Sequence, residues 1–79
     1  MMNKQSKINI KIGTKIKLER VKRNWSQEQL AELSDLNKNS IGSIERGESS
    51  PTIETLGKIA IALNIPLHEL TNVSKVEID

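Results

Sequence analysis

Apolar residues recur at helical spacing through most of the chain, most sharply over residues 26–47, SQEQLAELSDLNKNSIGSIERG. Ser26 carries an N-cap side chain and Gln29 stands three residues on, the spacing of a capping box, so a helix is expected to begin at Gln27. Trp25 before the cap and Leu30 after it are placed for a hydrophobic staple; Leu30 and Leu33 are expected to face inward, with Ala31 beside them. Asn37 suits the cap of a second helix, Leu36 and Ile41 repeat the staple around it, and Ile44 follows one turn later on the same stripe. Gly47 suits its stop. Only about three residues, 35–37, separate the two helices, so they must cross steeply and touch, and Ala31 is the small residue that such a contact needs.

Upstream, residues 9–23 read as a helix with Ile12, Ile16 and Val21 among its buried positions. The alternation Ile8, Ile10, Ile12 also fits a short strand; the helix is preferred, because Gly13 alone does not break one. Downstream, residues 48–51 form a loop, Thr52 caps a fourth helix, and Ile53, Leu56, Ile59, Ala60 and Leu63 supply its buried stripe. Asn64 stands where that helix would end in a left-handed turn, Ile65-Pro66 enforces the stop, and a short fifth helix covers about 67–71. The expected fold is all-α, with five helices over residues 9–71, a flexible basic arm at 1–8 and a tail at 72–79.

Composition narrows the chemistry. With one Trp and no Phe or Tyr, the core must be aliphatic, and at 79 residues it is close to the lower limit for a self-sufficient domain. No Cys is present, which excludes disulfides and thiolate metal sites and fits a cytoplasmic protein. No apolar run reaches the ~20 residues of a membrane span, and no membrane partner is expected. His68 is the sole histidine, beside Glu69 but with no second ligand or clustered acids, so no catalytic residue, metal site, cofactor or small-molecule substrate is assigned and the chain is not expected to be an enzyme. The net charge of +2 is small but unevenly distributed: Lys4, Lys7, Lys11, Lys15, Lys17, Arg20, Lys22 and Arg23 crowd the first third against Glu19 alone. Charge by itself does not separate a phosphate-facing surface from a solvated helix face.

The outward face of the second helix in 26–47 is Lys38, Asn39, Gly42, Ser43 and Arg46, polar, mostly short and free of negative charge. Any solvent-facing helix is polar, but this one also suits the DNA major groove. Its setting decides between the two. The Ser26-Gln27 start, Ala31 at the helix contact, Ile44-Glu45-Arg46-Gly47 and Ser50-Pro51-Thr52 together resemble the phage repressor and Cro-type (Xre-like) helix-turn-helix family over roughly 12–70. The family usually has Gly where this chain has Asn24 and Asp35, and both residues tolerate the left-handed conformation.

That resemblance implies a compact repressor-like domain and a sequence-specific regulator of double-stranded DNA. Lys38, Asn39 and Ser43 would face base edges, since lysine suits guanine, asparagine suits adenine and serine accepts either; Gly42 would leave room for close approach. Gln27, Ser40 and Arg46 would hold phosphates, with Ser49 and Ser50 as further candidates. The resemblance also pairs Arg20 with Glu45 in a partly buried ion pair that orients the reading helix. A homodimer is expected, reading an inverted repeat, with Ile65, Leu67, Leu70 and Val73 as its contact; the competing reading is that Ile65 and Leu70 finish the monomer core. The alternative function is an antitoxin-type module that binds a partner protein as well as DNA.

Overall fold

Helices of five to sixteen residues are marginal in water by themselves, so those of this chain depend on the faces they share. The computed structural model describes residues 6–73, and they form α1 (Lys7–Lys22), α2 (Gln27–Leu33), α3 (Lys38–Glu45), α4 (Ile53–Leu63) and α5 (Leu67–Thr71). Each helix sends at least one fully buried aliphatic into a common core: Ile16, Leu30, Ile41, Ile59 with Leu63, and Leu70. Each such burial contributes about 1.5–3 kcal/mol. Helix α3 packs on α1 and α2, while α4 packs on α2 and α5.

The tight connections have one recurring cause. Four helices end in the same pair of backbone bonds, with a left-handed residue at the turn: Asn24 (φ 59°), Asp35 (φ 58°), Gly47 (φ 74°) and Asn64 (φ 59°). At each end the left-handed residue's N–H bonds back three residues and the next N–H bonds back five, as in Gly47 to Ile44 and Glu48 to Ser43. The residue after the turn is Trp25, Leu36 or Ile65 in three of the four cases, and all three pack against the core. Trp25 and Leu36 also precede the caps of α2 and α3. One apolar residue thus closes a helix and staples the next, which is why so few residues suffice between α1, α2 and α3.

The caps at Ser26, Asn37 and Thr52 form as the pattern predicts, with both arms of the Ser26–Gln29 capping box present. Four expectations need correction. Helix α1 begins at Lys7, because the Ser6 side chain accepts from the Ile8 and Asn9 N–H groups; residues 7 and 8 therefore belong to the helix, and the strand alternative for 8–12 is absent. Residues 1–5 of the expected arm and 74–79 of the tail lie outside the described residues. Val21 is exposed, since about 100° per residue carries it to the side opposite Ile12 and Ile16. Leu33 is exposed at the last position of α2, and Ser34 takes the inward position, its hydroxyl donating to the Leu30 carbonyl at 2.6 Å. Ile53 is exposed as the first residue of α4, a turn ahead of Leu56 and off its stripe.

Gly13 has a packing reason that its helical setting conceals. A Cβ there would lie 2.2 Å from the Ile44 carbonyl oxygen and 2.8 Å from that of Glu45, so the backbones of α1 and α3 are in direct contact.

Candidate nucleic-acid interface

The end of α3 is fastened from behind by a buried carboxylate. Arg20 Nε and Nη2 donate to Glu45 Oε2 and Oε1 at 2.6 and 2.9 Å, and Arg20 Nη1 donates to the Trp25 carbonyl at 2.7 Å. The Glu45 side chain is 3% exposed and that of Arg20 11%. Its hydrogen bonds to Glu45 raise the Arg20 pKa further, against the opposing cost of burial. Gln27 completes the cluster, its Nε2 donating to Glu45 Oε1 at 3.1 Å. One carboxylate thereby ties α1, the start of α2 and the last turn of α3 into a fixed geometry. That bond takes one of the two N–H donors of the Gln27 amide, and the half-buried residue keeps the other at the start of α2 for the phosphate role expected of it.

The solvent side of α3 is ordered by helical arithmetic. Asn39, Ser43 and Arg46 fall at i, i+4 and i+7 and share one face, with Asn39 and Arg46 exposed and Ser43 half-buried. Lys38 is exposed on the first turn, about 100° round from Asn39, and borders a cleft with Ser26, Gln29 and Glu32 of the α2 side. Gly42 does not lie on the open face. It is buried, and a Cβ there would come within 3.0 Å of Arg46 Nη1 and 3.5 Å of Gln27 Oε1, so its missing side chain accommodates those two residues. Ser40 is half-buried, and its N–H donates to the Asn37 cap at 2.8 Å.

A groove runs beside this face between α3 and the following loop, and Asn39, Ser40, Ser43, Ser49, Ser50, Thr52 and Thr55 line it. Thr55 is the contributor that sequence reasoning missed; its hydroxyl meets that of Thr52 at 3.1 Å at the start of α4. The capping spacing Thr52-x-x-Thr55 was the available signal. Arg46 Nε lies 3.0 Å from Glu48 Oε1, which places an acid at the far edge of this surface, as Glu28 and Glu32 stand in the cleft beside Lys38.

The basic first third is less available than its composition implies. Glu19 is buried and gathers Lys15 at 2.9 Å, Arg23 at 2.8 Å and Lys22 at 3.2 Å. Hydrogen bonds from Lys15 and then Arg23 hold its carboxyl down from 4.5 to about 2, against the cost of burial. Arg23 Nη2 also donates to the Leu63 carbonyl at 2.8 Å, joining the ends of α1 and α4. Four of the cations counted toward a phosphate-facing surface, Lys15, Arg20, Lys22 and Arg23, are thus engaged with Glu19 or Glu45, and Lys4 lies outside the described residues.

Two of the four expected dimer-contact residues are withdrawn from any partner. Leu70 is fully buried and Val73 nearly so, because they close the core over α1 and α4; Ile65 and Leu67 pack half-buried against the same core.

Comparison with known proteins places this geometry among others of its kind. Residues 16–70 match the helix-turn-helix family model HTH_3. The chain is 49% identical over 55 residues to the HTH-type transcriptional regulator SutR of Escherichia coli (strain K12), which covers 70% of this chain and 31% of that protein. It is 51% identical over 47 residues to the control protein C.SmaI of Serratia marcescens, covering 60% of this chain and 56% of that one. Among solved structures, the restriction-modification controller protein C.AhdI from Aeromonas hydrophila superimposes with a TM-score of 0.77 at 35% identity, over 78% of this chain and 94% of that one. The chain spans between 31% and 60% of the length of the curated relatives it matches.

Proposed function

The chain belongs to the HTH_3 helix-turn-helix family, and from that premise we propose that it is a DNA-binding transcriptional regulator that reads its site through α3 in the major groove, as a homodimer on an inverted repeat. One observation carries the reading: α3 is fixed from behind by the buried Arg20–Glu45–Gln27 cluster while Asn39, Ser43 and Arg46 share its open side. A helix that must place hydrogen-bonding atoms against base edges has to be rigid, because a displaced donor loses the bond. The buried charge supplies that rigidity.

Phosphate contacts set the register and base contacts supply the information. Asn39 suits a bidentate contact with adenine, Lys38 suits guanine acceptors, and Ser43 reaches either from lower on the groove wall. Arg46 holds a phosphate at the far end of α3, in competition with its bond to Glu48. Ser40, Ser49 and Ser50 border the adjoining groove, where a second phosphate would run. A single domain with so few contacts reads only a few base pairs. Pairing doubles the footprint, and two reading helices on one face of the duplex meet half-sites about 34 Å apart.

The test is selection of tight binders from a random duplex pool at near-physiological salt, followed by the Lys38→Ala/Asn39→Ala double variant on the enriched sequence. An enriched inverted repeat is expected, with the double variant losing sequence preference and keeping its melting temperature. No enrichment, with only salt-sensitive general binding, would overturn the reading and leave a partner protein as the target.

A further inference from the structure

We infer that the homodimer pairs through the outer side of α4, with two copies crossing antiparallel at Gly57, and not through the residues around α5. The inference rests on the homodimer reading above and names its surface. Ile53 and Ile61 are 66% and 80% exposed, and with Gly57 they stand at i, i+4 and i+8, a single ridge about 12 Å long. The core leaves this ridge uncovered: Leu56, Ile59, Ala60 and Leu63 are buried on the neighbouring stripe, and Ile61 lies about 140° round from Leu56. A Cβ placed on Gly57 would meet nothing within 4 Å, so the middle of the ridge is an open notch at which a second helix can approach closely.

The ridge fits a second copy of itself. A two-fold contact uses the same patch on both subunits, so the patch must be complementary to its own image. Ile-x-x-x-Gly-x-x-x-Ile reads alike in both directions: with antiparallel helices each Ile53 falls opposite Ile61 of the other copy, and the two glycines meet. The flanking charges agree. Glu54 and Lys58 lie on one flank of the ridge, and an antiparallel pair sets that flank against its own image, bringing the acid of each copy toward the base of the other. The two helix dipoles then oppose as well.

The chain has no cysteine, so single-cysteine variants of the full chain report this geometry directly. Wild type is expected to sediment as a dimer, and Ile61→Glu as a monomer with an unchanged helical circular dichroism spectrum and at least a tenfold weaker association. Gly57→Cys should form a disulfide dimer under mild oxidation, whereas Glu28→Cys, on the exposed side of α2, should not. A mixture of Ile53→Cys and Ile61→Cys should cross-link to each other in preference to themselves. If wild type is dimeric but Ile61→Glu stays dimeric, or Gly57→Cys fails to cross-link, the α4 surface is refuted and the homodimer stands. Self-cross-linking of Ile53→Cys alone would refute the antiparallel arrangement. A wild type that is monomeric throughout would refute the homodimer itself.

Discussion

Replacing Glu45 with Ala removes the acceptor for two of the three guanidinium bonds that hold Arg20, and leaves that cation 11% exposed with only the Trp25 carbonyl. The Gln27 amide loses its partner at the same time. Breaking a buried pair by removing one member costs about 3–5 kcal/mol, most of it the penalty of a charge left without compensation. A domain of this length has only about 4–12 kcal/mol of total stability, so the variant is expected to lose about a quarter of it or more. Urea unfolding followed by circular dichroism is the direct assay: at roughly 1–1.5 kcal/mol/M the midpoint should fall by about 2–5 M, and the melting temperature by more than ~10 °C. The double variant Arg20→Met/Glu45→Leu should recover most of the loss, because apolar residues of similar volume often replace a buried ion pair without penalty. Recovered stability should not restore DNA reading if the cluster's task is orientation. A Glu45→Ala variant destabilised by less than about 1 kcal/mol would refute the argument, since it would mean that the Arg20 charge is readily solvated.

Three further outcomes follow from particular contacts. Gly13→Ala should destabilise by about 2–3 kcal/mol in urea unfolding despite the ~1 kcal/mol that alanine ordinarily adds to a helix, because the new Cβ meets two carbonyl oxygens of α3; a neutral result would mean that α1 and α3 do not touch there. Asp35→Gly should raise the melting temperature by about 2–6 °C, since it relieves a left-handed residue and removes a negative charge from the C-terminal end of α2; a lower melting temperature would show that Asp35 makes a contact that outweighs both. Glu19 titrates near 2 in the folded chain and near 4.5 when unfolded, so its contribution is fully present above about pH 5 and is lost as pH falls through 4.5 toward 2. The shift corresponds to about 3 kcal/mol, discounted to about 1–2 because Lys22 is largely exposed, and Glu19→Gln should flatten the acid limb of stability against pH over that window.

Helix limits, caps and stops are local properties, and the order of residues carries them. Ser26 with Gln29, Asn37 and Thr52 cap because a short polar side chain can reach an N–H two or three residues on, wherever that turn sits in space. Asn24, Asp35 and Asn64 end helices because they enter the left-handed region at low cost. The aliphatic stripes of α3 and α4 are legible for a similar reason, since a regular period marks one side. Pairing of Arg20 with Glu45 came from family resemblance alone, because nothing local relates two residues twenty-five positions apart.

Period alone does not say how much of a stripe is covered. Leu33 and Ile53 are apolar and within about 60° of a buried Leu30 or Leu56, yet exposed, because coverage depends on where the neighbouring helices lie. Leu70 on the short last helix and Val73 just beyond it read equally as a dimer contact, and both are buried, because α5 packs on α1 and α4. Glu19 reads as one acid among lysines and is the centre of a buried cluster, because α1 turns it toward the end of α4. Gly13 reads as a tolerated helical glycine and Gly42 as room for an outside partner, and each is a space that other groups of the chain occupy. Burial, charge pairing and close approach are relations between elements, and they exist only once the five helices have packed.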